Sequence, residues 1–265
     1  MNTPLVSVII VNYNTPELVY ACLDSLKAHI ARSSYEVIVV DNGSPKPMNP
    51  EQLKTYPEVK YLPLSENRGF GAGNNAGVKQ AKGELVWLLN SDTLLPSAKI
   101  EHLFEFLLAH PEVGLVSPLL YNDPELQTLQ PDFYAQYQSF TTLLTRQAQA
   151  PIDISQPVIE TEVVVGASMV MRRSVFETLG GFDEKIFMYF EDDDLCYRVQ
   201  ERGLSVVIFT GAEVVHLQGK SLSHTGKRKS LYYTSQNYFW QKHYGLFPAL
   251  LMRLIRLPYR LVRGV

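Results

Sequence analysis

The chain holds 265 residues, 46% of them hydrophobic and 19% charged, with a formal net charge of −3. That length suits one large α/β domain, or one with a C-terminal appendage, able to bury roughly 70–75% of its unfolded surface. The composition excludes collagen-like, disulfide-rich and disordered chains, and no apolar run reaches the roughly 18–20 residues that span a bilayer.

Two cysteines, Cys22 and Cys196, form no CxxC pair and read as reduced core residues of a cytoplasmic protein. The first residues lead straight into a strand pattern without a basic stretch, so no signal peptide is expected.

Leu5 to Val11 is a short, apolar, β-branched run that predicts a buried strand. Asn14 or Thr15 then caps a helix with Pro16 in its first turn and Leu18, Val19, Cys22, Leu23 and Leu26 along one face. Tyr35 to Val40 predicts a second strand, ending in Asp41-Asn42-Gly43-Ser44, and a Pro-rich loop runs to Pro50. Val59 to Leu64 is a weaker third strand, Phe70 to Ala81 a helix despite its glycines, and Glu84 to Leu89 a fourth strand. Pro96 to Ala109 reads as helix and Val113 to Val116 as strand. This alternation over the first ~117 residues predicts βαβ units and a mainly parallel sheet. Ligands of such sheets sit beyond the carboxyl ends of the strands, where Asn12, Asp41, Asn67, Asn90 and Asp92 fall.

Residues 118–160 carry scattered Pro and Gln with weak periodicity, and read as an insertion or lid-like connection. Structure resumes at Glu162 to Met171, a helix from Asp192 to Arg202 and a strand from Ser205 to Phe209. The C-terminal region, 221–265, reads as helical and aromatic-rich, with helices over Lys229 to His243 and Leu246 to Leu261 and a break at Pro258. Charge is unevenly shared. Nine of the 24 basic residues follow Glu213 and no acidic residue does, so residues 1–213 hold 15 basic against 27 acidic groups. Such a split suggests an acidic body whose tail meets something anionic.

Four constellations could carry chemistry. Asn90-Ser91-Asp92 follows an apolar strand and offers hard oxygen ligands for a divalent cation, although Asp92 and Thr93 equally suit a capped turn. Glu191-Asp192-Asp193-Asp194 puts four carboxylates in one helical turn beside the apolar wall Phe187 to Phe190, where a carboxylate can serve as general base. Some of the four simply favour a helix N-terminus. Gly71, Gly73 and Ala76 mimic a dinucleotide-binding fingerprint, but a polar stretch separates them from the preceding strand. His216 lies just past the strand-like Ala212 to Val215 and ahead of Gln218 to Ser221; its importance depends on meeting Asp92 in space. Arg253, Arg256, Arg260 and Arg263 share a helical spacing opposite several leucines, a pattern suited to an anionic membrane surface or to a docked terminal helix.

Taken in order, these passages resemble the family-2 glycosyltransferases with the GT-A nucleotide-sugar-binding fold. The resemblance rests on Val6 to Asn14, Val37 to Ser44, Asn67 to Gly77, Leu88 to Asp92, Gly166-Ala167, Gly180 to Glu184 and Phe187 to Arg198. Within the family it looks most like bacterial rhamnosyltransferase-type enzymes of surface-polysaccharide synthesis. It implies a Rossmann-like mixed, mainly parallel sheet flanked by helices in a catalytic domain over 1–220, with a helical extension over 221–265. Asn12, Tyr13 and Asp41 would line the base and ribose, and Asn67, Arg68, Gly73, Asn74 and Asn90 would lie along the nucleotide-sugar. Asp92, with His216, would hold Mg²⁺ or Mn²⁺, although Asn90 stands where the family's motif has its first aspartate. Asp192 would be the general base, with Tyr189, Glu191 and Arg198 toward the acceptor.

The implied reaction inverts the sugar carbon, moving a hexose such as rhamnose from a dTDP- or UDP-sugar to a saccharide or lipid-linked acceptor. The acidic body would repel that donor without a cation. The implied location is the inner face of the cell membrane, with no nucleic-acid partner. The rival readings are a nicotinamide-dependent oxidoreductase and a non-catalytic nucleotide- or sugar-binding module.

Overall fold

The computed structural model describes residues 3–140, 152–217 and 225–263, except the side chains of 225–227 and 257–263. Gln218 to Ser221, singled out in the sequence, lie outside the described residues.

The first half follows the predicted alternation. Strands β1 (Val6–Asn12), β2 (Tyr35–Asp41), β3 (Val59–Pro63) and β4 (Leu85–Asn90) pair in parallel in the order β3-β2-β1-β4. Register aligns Asn12 with Asp41 and Val11 with Asn90, so the polar strand ends meet along one edge of the sheet. Helix α1 (Pro16–His29) buries Val19, Cys22, Leu23 and Leu26, the periodic set that predicted it. Its N-cap Thr15 makes no side-chain cap bond; the hydroxyl turns instead to Asn12 Oδ1 at 3.1 Å and to Ser91 Oγ at 3.1 Å. A short helix α2 (Pro50–Leu53), capped by Asn49 Oδ1, stands just past the expected loop.

Helix α3 (Phe70–Val78) explains its glycines by packing. A Cβ on Gly73 would stand 2.8 Å from Val11 Cγ1, and one on Gly77 would collide with Ile9 Cγ2. The helix therefore lies against the sheet at a distance that only hydrogen side chains permit. Of the two glycines in the dinucleotide-like pattern, Gly73 packs on β1 and Gly71 on Phe182.

Beyond β4 the sheet turns mixed. A two-residue strand β5 (Thr93–Leu94) and helix α4 (Ile100–Ala109) lead to β6 (Val113–Tyr121), which runs five residues past the predicted Val116. Pro118 sits inside β6 without harm, because facing β11 shifts register between Phe209 and Glu213. Within 118–160, β7 (Tyr134–Ala135) pairs with β9 (Val163–Val164) as a separate ribbon, and β8 (Val158–Glu160) adds to the main sheet. The stretch from Glu162 to Met171, where structure was expected to resume, holds two strands, β9 and β10 (Ser168–Arg172), separated at Gly166-Ala167. Strand β10 inserts antiparallel between β4 and β6, burying Trp87, whose Nε1 donates to Ser168 Oγ at 2.9 Å.

Helices α5 (Arg173–Leu179) and α6 (Glu191–Gln200) precede β11 (Ser205–His216), which merges the two strand segments read separately in the sequence. The C-terminal layer is α7 (Thr225–Tyr244) and α8 (Leu246–Arg263). Contrary to the expected break, α8 is helical through Pro258, which has no N–H to offer the Leu254 carbonyl. This layer joins the body through a second apolar cluster of Phe190, Phe239, Trp240, Ala249 and Met252.

Candidate active site

A cleft of about 220 Å³ opens at the carboxyl ends of β1 and β4. Of the residues singled out in the sequence, Tyr13, Asn67, Asn90 and Asp92 line it, together with Thr15, Asn42, Ser91 and Phe70. Phe187, Met188 and Leu231 close the other side.

Several predicted residues support this cleft without facing it. Asn12 is fully buried, donating to Asp41 Oδ2 at 3.2 Å and accepting the Thr15 amide at 3.0 Å. Asp41 also accepts the Tyr61 hydroxyl at 2.8 Å and the Ser44 amide at 2.9 Å, so both its oxygens are engaged beneath the floor. Asn74 is buried and donates to the Phe70 carbonyl, and Gly73 serves helix packing. Arg68 turns away to an exposed ion pair with Glu184 at 2.6 Å.

Asn42, which the sequence reading left without a role, is the residue that shapes the entrance. Its Nδ2 donates to the Gly69 carbonyl and Asn67 Oδ1, while its Oδ1 accepts the Arg68 amide. Gly69 adopts φ +90°, and any Cβ there would strike the Phe187 carbonyl oxygen. That close approach, with the Phe70 amide donating to Phe187 O at 3.2 Å, fastens the glycine-rich passage to the wall.

His216 does meet Asp92. Strand β5 pairs with β11 so that His216 lies opposite Thr93, and the Leu217 amide donates to the Asp92 carbonyl at 2.9 Å. His216 Nε2 comes 3.3 Å from Asp92 Oδ1 and 3.5 Å from Asn90 Nδ2. Its Nδ1 faces Gln130 Oε1 at 3.0 Å; the tautomer with its proton on Nδ1, donating to that amide oxygen, would leave Nε2 to ligate a cation. A carboxylate oxygen and an imidazole nitrogen so placed fit a divalent cation. Among the described residues no three His, Cys, Asp or Glu side chains converge. A cation here would thus complete its coordination from substrate or water. Gln130, 2% exposed, comes from the weakly periodic 118–160 segment, where nothing in the sequence marked it.

The acidic turn separates its four members. Asp194 is fully buried and accepts from Lys242 Nζ at 2.6 Å, His243 Nε2 at 2.7 Å and Arg198 Nε at 2.8 Å. Burial alone would raise its pKa, but the His243 bond and the Arg198 and Lys242 charges outweigh it and hold the carboxyl at about 2. Arg198 also donates to the Leu179 carbonyl, which places it with this anchor and not at the cleft. Glu191 and Asp193 are pushed up, first by burial and then by the charge of Asp192 between them. Glu191 Oε2 has no hydrogen-bond partner among the described residues.

Asp192 differs. Its Oδ2 accepts the Gly166 amide at 3.1 Å and its Oδ1 the Asp193 amide at 3.0 Å, contacts that orient a carboxylate without neutralising it. Gly166 packs between Asp192 and the ring of Phe70, so Asp192 borders the cleft from behind Phe70 and does not line it.

The turn entering α6 is strained. Tyr189 and Phe190 both take left-handed conformations, φ 67° and 68°, at a typical cost of about 1–3 kcal/mol each. Ser235 of α7 holds the Met188 carbonyl at 2.7 Å, and Phe190 packs on Tyr232 and Phe239. Tyr189 itself sits against Tyr232.

A family model described as glycosyl transferase family 2 matches residues 7–180, and one described as the N-terminal domain of galactosyltransferase matches 146–220. The O-antigen biosynthesis protein RfbC of Myxococcus xanthus is 31% identical over 83% of this chain. The N-acetylglucosaminyl-diphospho-decaprenol L-rhamnosyltransferase of Mycobacterium tuberculosis is 27% identical over 83% of it. The chain spans 18% of the Myxococcus protein's length and 78% of the mycobacterial one's. Among solved structures, a mannosyltransferase from Pyrobaculum calidifontis with GDP-Man and Mn²⁺ aligns at TM-score 0.66 and 22% identity, over 91% of this chain and 64% of that one. GalNAc-T7 with UDP, GalNAc and Mn²⁺ aligns at TM-score 0.68 and 15% identity, over 98% of this chain and 55% of that one. These likenesses show the expected GT-A fold.

Proposed function

The chain belongs to glycosyl transferase family 2, and from that premise we propose that it is an inverting hexosyltransferase of cell-surface polysaccharide synthesis. The donor is a dTDP- or UDP-sugar, with rhamnose favoured by the mycobacterial relative. The acceptor is a saccharide or lipid-linked hydroxyl, met at the inner face of the membrane. Residues 1–220 form the catalytic domain.

The observation that carries this reading is the pair Asp92–His216 at 3.3 Å, facing a cleft lined by asparagines at the strand ends. Tyr13 and Asn42 flank the nucleoside end, and Asn67 and Asn90 lie along the sugar-diphosphate. Asp92 and His216 would hold a Mg²⁺ or Mn²⁺ ion, which would supply charge neutralisation for the departing diphosphate. Asp192 accepts the proton of the acceptor hydroxyl, its geometry set by the Gly166 and Asp193 amides. Attack from that side, opposite the leaving group, inverts the anomeric carbon. Phe187 and Met188 wall the sugar from water.

The test is a panel of nucleoside-diphosphate sugars with Mn²⁺ and a polyprenyl-diphospho-saccharide acceptor, with the product anomer read by NMR. One donor should yield a product of opposite anomeric configuration. Retention of configuration, or turnover that survives Asp192→Asn, would refute the mechanism.

A further inference from the structure

The outer side of α8 is apolar and uncovered. Leu246, Phe247, Leu250, Leu251 and Leu254 are 59, 78, 45, 38 and 64% exposed, and their spacing sets them on one strip of the helix. The only other exposed large apolar residues among those described are Leu108 and Ile154, each isolated. The opposite side of α8 is already used: Ala249 and Met252 are fully buried against the body. This amphipathic helix therefore packs by its narrow inner face and turns its leucine-rich face outward, the reverse of a terminal helix docked for stability.

Building on the transferase reading with a membrane-held acceptor, we propose that this outer strip is the surface by which the protein docks, in plane, on an anionic lipid bilayer. No described helix is long and apolar enough to cross a membrane, so contact is interfacial. Charge selects the occupant. The sequence from Val214 onward has no acidic residue and nine basic ones, and Arg253 is exposed beside the strip. A second copy meeting it strip to strip would bring Arg253 toward Arg253, whereas anionic headgroups would neutralise that charge. Arg256, grouped in the sequence with the membrane-facing arginines, turns inward: it bonds Asn237 Oδ1 at 2.7 Å and lies 4.5 Å from the Tyr233 ring centroid. The side chains of Arg260 and Arg263 lie outside the described residues.

Docking on this face also orients the cleft. Helix α7, on which α8 packs, carries Ser235, bonded to the Met188 carbonyl in the cleft wall, and Lys242 and His243, bonded to Asp194 two residues past Asp192. The bilayer-facing helix and the acceptor side are thus joined through one rigid element.

The experiment is co-sedimentation of the full chain with phosphatidylcholine vesicles, with and without phosphatidylglycerol, beside sedimentation velocity of the free protein. Binding should require phosphatidylglycerol, weaken with salt, and fall more than about tenfold in a Phe247→Glu/Leu250→Glu/Leu254→Glu variant. All three positions are exposed, so an unchanged Tm certifies the variant's fold. Absence of binding to anionic vesicles, or equal binding by the variant, overturns the proposal. So does a wild-type dimer that the variant converts to monomer without vesicle binding. Asp192→Asn should bind vesicles as the wild type does. Vesicle binding without transfer would therefore refute the activity alone, and transfer to a soluble acceptor without vesicle binding would refute the docking face alone.

Discussion

The floor of the cleft and the helical layer behind it are assembled by different means. At the strand ends, Asn12, Asp41 and Asn90 stand in line because parallel strands in fixed register end together, and neighbouring amides and hydroxyls hold the side chains of Asn12 and Asp41. The acidic turn of α6 has no such lattice. Asp192 is placed by a strained turn and by a helix whose buried Asp194 is held by Lys242 and His243 from α7, some fifty residues away. On the proposed reading, donor binding would be intrinsic to the sheet, while the base would depend on the C-terminal layer. The two should separate under mutation.

The sharpest separation is Asp192→Asn. Turnover should fall by about 10²–10⁴-fold while donor affinity stays level, because the base touches only the acceptor proton; calorimetry beside a transfer assay checks both, and a shared loss would merge the two regions. Next is Asp194→Ala, which strands Lys242 and His243 over a buried gap and should cost about 3–5 kcal/mol in denaturant unfolding. A pH series sharpens it. The folded carboxyl sits at about 2, below its unfolded value near 3.9, so its stabilisation is complete above that value and disappears as pH falls toward 2. The acid limb of the wild type should therefore be steeper there than that of Asp194→Asn.

On the other side, Gln130→Ala frees the His216 ring. It should weaken Mn²⁺ binding by about 10–100-fold, read by calorimetry or by Mn²⁺ electron paramagnetic resonance, with Tm little changed. Rescue by Gln130→Glu, which restores an acceptor for Nδ1–H, would mark it as a positioning residue. The smallest effect is Gly73→Ala, whose methyl meets Val11 Cγ1 at 2.8 Å; about 1–3 kcal/mol of stability should go, with vesicle binding intact.

What was legible in the sequence follows the same division. Strands β1, β2 and β4 and helix α1 announced themselves because a buried parallel sheet demands continuous apolar runs, and ligand-facing residues must follow them. Asp92 and Asn90 were placed by that rule. Asn12 and Asp41 lie at those strand ends too, but they are buried and bonded to each other, and no pattern distinguishes lining from support. The glycines of α3 announced close packing as loudly as phosphate binding. Gln130, Ser235 and the Asp194 anchor were unreadable because each acts on a partner far along the chain. Arg256 was misassigned because helical spacing gives a face and not what covers it.

The most direct test of the account is calorimetric binding of UDP, dTDP, GDP and NAD, each with and without Mn²⁺, to the wild type and to Asp92→Ala. The account predicts that UDP or dTDP binds, that Mn²⁺ tightens it, and that Asp92→Ala removes the gain. Metal-independent binding of NAD, or nucleotide binding indifferent to both Mn²⁺ and Asp92, would contradict it.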